Sequence, residues 1–151
     1  MILKFLHISI MFAAVALAIG GETFVARAAA TRNVLTIRGT LGAAMGVMGW
    51  VAPLFGLGVV VGIIAALVGA FDPFAPWLIA AYVLFVVAMV IGSQVGSWAE
   101  RLGKAAAASP IEAPSPELAA ALDDQRARVT RYLNMAIVAV FIFLMVFKPG
   151  S

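Results

Sequence analysis

The sequence contains no cysteine, which excludes disulfides, thiolate metal ligands and cysteine nucleophiles. It holds a single histidine, so one chain cannot assemble a metal cage from several imidazoles. Charge is scarce as well: 11% of the 151 residues are Asp, Glu, Lys or Arg, against about a quarter in a soluble domain. The net charge of +3 comes from scattered basic residues and forms no stripe that would track a phosphate backbone, which excludes nucleic acid as a partner. No phosphate-cradling glycine loop, catalytic triad or paired-carboxylate site is present.

What the chain has instead is hydrocarbon. Hydrophobic residues make up 64% of it, with a mean hydropathy of +1.10. A soluble domain of this length buries only about two-thirds of its surface and has no room for so many apolar side chains. The composition specifies an integral membrane protein. Runs of about 20 apolar residues, enough helix to cross roughly 30 Å of hydrocarbon, place spans at about 2–21, 51–70, 76–95 and 133–147. The expected fold is all-α, a polytopic transmembrane four-helix bundle forming a single membrane domain over 1–151.

The second apolar stretch, 41–70, is longer than one crossing needs. Pro53 interrupts it, and a proline within a helix removes a backbone donor and kinks or ends it. Residues 41–50 are therefore expected to form an interfacial or re-entering helical turn, with Trp50 as the anchor at that boundary. The turn at 71–75, with Pro73 as breaker, predicts that spans two and three are antiparallel neighbours. Ser115 and Pro116 carry a helix start, and Asp124 and Arg128 stand four apart on the segment that follows. That segment is expected to run into the fourth span as one long helix.

Basic residues set the expected orientation. Arg27, Arg32 and Arg38 lie in the loop 22–40, and Arg101, Lys104, Arg126, Arg128 and Arg131 in the loop 99–131, while Lys4 and Lys148 fall on the other side. The positive-inside rule then puts both loops in the cytoplasm and both termini outside. Trp77 and Trp98, 21 residues or about 32 Å apart along a helix, mark the two interfacial belts of the third span. A signal peptide ending near Ala26-Arg27-Ala28 is the rival for the first span. Cleavage there would put the basic loop 99–131 outside, against the same rule.

Few polar residues fall in or beside the spans. His7 lies about one turn inside the first, where a neutral imidazole reaches water or a carbonyl, or serves as a haem or copper ligand or a proton relay. Glu22 closes the same helix and is expected to be an exposed carboxylate near Arg27. Ser93, Gln94 and Ser97 are expected to hydrogen-bond between helices, and the methionines to pack. Three pairs spaced by four, Gly42 with Gly46, Gly58 with Gly62 and Gly92 with Gly96, are candidates for close helix packing.

The opening Leu3-Lys4-Phe5-Leu6-His7-Ile8 and the terminal Leu144-Met145-Val146-Phe147-Lys148-Pro149 resemble those of a group of bacterial predicted integral membrane proteins with four helices. The layout is also similar to that of copper-resistance-D-type membrane proteins and of the membrane protoporphyrinogen oxidases. In the oxidases a histidine of the first span is implicated in haem binding, which the resemblance carries over to His7 with haem b as cofactor. Their lysine in a later span has no counterpart here. The reading that emerges is a small protein of the bacterial inner membrane, structural or accessory to a membrane assembly and not itself an enzyme. Its partners would be the lipid bilayer and other membrane subunits or a second copy. The alternative is a haem- or copper-binding redox protein using His7.

Overall fold

The computed structural model describes residues 1–69, 72 and 74–148 and is helical throughout, with no strand among those residues. Helix α1 spans Ile2–Ala30, α2 Val34–Met48, α3 Val51–Val68, α4 Pro76–Ala108, α5 Pro116–Leu122 and α6 Gln125–Phe147. Two of the joints are interruptions within a rod, so α2 continues into α3 and α5 into α6. The result is four rods, each long and apolar enough to cross a membrane, in an all-α four-helix bundle. Large apolar side chains such as Phe5, Phe12, Val60, Leu67, Val86 and Phe143 are exposed on its outer surface, the arrangement a lipid solvent calls for.

Residues 22–40, expected as a loop, are helical except for a three-residue reversal. Helix α1 runs on to Ala30, a length of about 43 Å for its 29 residues, and so projects beyond a bilayer core. Thr31 donates its hydroxyl to the Ala28 carbonyl at the helix end. Arg32 then takes a left-handed conformation (φ 53°), and Asn33 accepts from the Thr36 amide at 2.9 Å to cap α2. Polarity alone made this segment read as a loop. A short polar turn between two helices carries the same composition.

The discontinuity marked by Pro53 is present, but it lies at Gly49–Trp50. Proline has no N–H to offer the carbonyl four residues back, which is that of Gly49, and its ring crowds that carbonyl. Both joint residues keep right-handed helical angles, so the rod kinks and does not turn back. Pro53 itself sits in the first turn of α3, where a missing donor costs nothing. Residues 41–50 thus belong mostly to a helix anchored in the protein, with Leu41 buried in the core.

The segment from Pro116 runs into the fourth span as one rod, as expected, with a break at Asp123 and Asp124. Ser115 caps α5 by accepting from the Leu118 amide, as its position before Pro116 predicted. Asp124 marks that break by capping α6, accepting from the Ala127 amide at 3.0 Å. Its carboxylate also pairs with Arg101 at 3.4 Å, in place of the Arg128 pairing expected from spacing.

The rods associate as two hairpins. Helix α1 packs along α2 and α3, and α4 along α5 and α6. Backbone contact between α3 and α4 is slight, so consecutive spans two and three are not the close neighbours that a tight turn predicted. Their meeting is through side chains, Phe55 and Phe85 edge to face with ring centroids 6.2 Å apart. Of the turn itself, Phe71 and Pro73 lie outside the described residues; Asp72 accepts from the Phe74 amide at 2.9 Å.

The hairpins are joined at the end that carries most of the basic residues. The core there combines Val25 and Ala28 of α1, Ile37 and Leu41 of α2, Trp98 and Leu102 of α4, and Leu118 of α5. Arg38 reinforces the joint: it donates to the carbonyls of Ala106 (2.7 Å), Ala107 (3.0 Å) and Ser109, where α4 ends and its carbonyls run out of helical partners. Arg32 pairs with Asp123 across the same joint.

Candidate functional site

The first site is the seat of His7. His7 and Met11, one turn apart on α1, face Gly58 and Gly62, one turn apart on α3. His7 Nδ1 donates to the Gly58 carbonyl at 2.7 Å, so in the neutral imidazole Nε2 is the acceptor. A Cβ on Gly62 would stand 2.7 Å from both Nδ1 and Cε1 of the ring, and one on Gly58 would stand 2.5 Å from Met11 Sδ. Both notches exist because those residues have no side chain. The histidine meets a carbonyl of a neighbouring helix, and its seat is built by the pair Gly58 and Gly62.

The other glycine pairs do not act this way. A Cβ on Gly42, Gly46, Gly92 or Gly96 would have nothing within 4 Å, so within the chain none of the four brings a neighbouring helix close. Spacing places glycines on one face of a helix, but the neighbour decides whether that face is covered. Gly21, which has no partner at that spacing, is a packing glycine: a Cβ there would lie 2.7 Å from Met48 Cγ. Ser93 and Ser97 donate to carbonyls of their own helix, Val90 and Ser93 respectively, and not between helices.

The second site is centred on Glu22. Only 2% of this residue is exposed, and its partner is not Arg27. Arg131 Nε donates to one carboxylate oxygen at 3.3 Å, and Asn134 Nδ2 to the other at 3.1 Å. The Arg131 guanidinium also lies 5.1 Å from the centroid of the Trp98 ring, whose indole N–H donates to the Ala121 carbonyl at 3.0 Å. This cluster ties α1 to α4 and α6. The sequence held one signal for it: Arg131 and Asn134 are three apart and share a face of α6. Nothing in it tied that face to Glu22, more than a hundred residues earlier.

Beyond Glu22 a partly open cavity of about 380 Å³ lies between the hairpins, with the exposed side chains of Met89 and Ile142 at its rim. Its walls are apolar side chains of α1, α3, α4 and α6 with Met48 at the end of α2, and its polar groups are Glu22, Asn134 and Ser93. Among the described residues no group of three His, Asp or Glu side chains could hold a metal ion. His7 is not among the residues lining this cavity. The chain matches no protein-family model, no curated protein and no solved structure.

Proposed function

We propose that the chain is a multi-pass protein of the bacterial inner membrane that acts as a structural or accessory member of a membrane assembly, with no catalysis of its own. Both termini lie outside the cytoplasm in this reading, and its neighbours are lipid, other membrane subunits or a second copy. The observation that supports it is the use made of the polar groups. His7 is bonded to Gly58, Glu22 to Arg131 and Asn134, and Ser93 and Ser97 to their own helix. The His7 and Glu22 contacts join different helices, the two serines are spent within α4, and none of these groups gathers the acid, base and nucleophile that a hydrolase or transferase needs.

One observation favours a second reading. An imidazole that donates one N–H to a backbone carbonyl has its other nitrogen oriented for a metal, as ligating histidines commonly do. His7 Nε2 would then hold haem iron or copper, and further ligands would come from another molecule. Native mass spectrometry after gentle extraction, with an absorption spectrum of the same sample, tests both readings. The accessory role predicts a protein assembly larger than one chain and no Soret band. A lone chain under every extraction condition overturns it, and a Soret band lost in His7→Ala puts the redox reading in its place.

A further inference from the structure

We propose that the cavity between the two hairpins binds a neutral apolar molecule ending in a hydroxyl group. Its volume of about 380 Å³ falls in the range of small-molecule sites, about 300–1,000 Å³. The walls present Met11, Met48, Phe55, Phe85 and Phe141, a mixture of flexible thioethers and flat rings that suits an apolar body. Such a body reaches the cavity from the hydrocarbon of the membrane.

The glycines of α4 supply an independent argument. Gly92 and Gly96 both line the cavity, and a Cβ on either would meet nothing within 4 Å. Each costs a helix about 1 kcal/mol relative to alanine, and neither allows a helix of this chain to approach in return. What their missing side chains leave is volume inside the cavity.

The polar end selects the head group. Arg131 and Asn134 each take one acceptor site of Glu22, and a carboxylate offers about four. Ser93 has donated its hydrogen to Val90, so towards the cavity its Oγ can only accept. Asn134 keeps its carbonyl oxygen and one N–H. The unspent capacity is mostly acceptor, which calls for a donor. The Glu22 charge is already matched by Arg131, so a cationic ligand would bring an uncompensated charge into a low-dielectric site. A hydroxyl donates without that penalty.

Two kinds of membrane molecule share this chemistry, a long-chain alcohol and an alkyl-substituted phenol. The full chain in lipid nanodiscs is labelled with a long-chain alkanol carrying a mid-chain diazirine, and the crosslinked peptides are mapped. Labelling of cavity-lining residues that excess alkanol or alkylphenol competes away is the expected result. Whichever competes more strongly identifies the source, and competition by neither overturns the proposal. The methyl ether of the better competitor should compete at least about tenfold less well, since it cannot donate to a charged acceptor. Equal competition by the ether, or stronger competition by tetraphenylphosphonium, overturns the assignment of a neutral donor. Gly92→Leu fills the cavity from a position with no neighbour to displace, so it should abolish the labelling while leaving the melting temperature within a few degrees of the parent. Undiminished labelling in Gly92→Leu places the probe on the lipid-facing surface and also overturns the proposal.

Discussion

At Gly62 a single methyl group decides whether α1 and α3 fit. A Cβ there would overlap the His7 ring, so Gly62→Ala should destabilise the protein by about 1–3 kcal/mol, the usual cost of overpacking. His7→Ala removes the obstacle, and the double variant should recover much of the loss. Unfolding in detergent micelles gives the comparison, and additive losses would mean that the two residues do not share a contact. Glu22 poses the complementary case. Removing the carboxylate in Glu22→Ala leaves Arg131, only 19% exposed in its side chain, without a counter-ion, at an expected cost of about 3–5 kcal/mol. Removing both partners should cost much less than the sum of the two single changes. His7 stood out in the sequence because it is the one histidine in an apolar run. The burial of Glu22 did not, because a carboxylate at the end of a span looks the same whether it meets water or an arginine from a distant helix.

Among the elements, the α2–α3 rod shows how a local rule and its consequence can sit at different positions. Pro53 acts on the Gly49 carbonyl, so the kink lies four residues before it. Pro53→Ala restores the missing donor and should straighten the rod. Spin labels at the exposed positions Leu35 and Val60 would then move towards the separation of a straight helix, about 38 Å for 25 residues. An unchanged distance would assign the kink to packing of α2 in the core and not to the proline. The start of α5 was legible in Ser115 and Pro116. Its end was not, because Asp124 serves equally well as a helical partner of Arg128 and as the cap of α6. In the structure it caps α6 and also lies 3.4 Å from Arg101 on α4.

The whole molecule is a pair of hairpins bound at one end. The Arg32–Asp123 and Arg101–Asp124 pairs, the Arg38 clamp on α4 and the buried core all lie at that end, together with eight of the ten basic residues. Positive charge gathered at one end of every rod is the basis of the orientation proposed above, with that end in the cytoplasm. A periplasm-dependent reporter fused after Lys104 should therefore be inactive, and the same reporter fused at residue 151 active. Activity after Lys104 would reverse the orientation.

The sequence by itself determined the solvent and the class of fold. Sixty-four percent apolar residues in runs of about 20 leave few arrangements other than membrane-spanning helices, because unpaired backbone groups cannot be left in hydrocarbon. It also determined where chain direction is disturbed, at Pro53 and at Ser115–Pro116, since those effects act within a turn or two of helix. Pairing of the rods was decided by tertiary structure alone. In lipid every apolar face is equally acceptable to the solvent, so hydrophobic patterning does not name a partner, and packing against particular side chains does. That is why Gly58 and Gly62 carry a helix contact while Gly42, Gly46, Gly92 and Gly96 do not, and why Glu22 lies buried against Arg131 and Asn134.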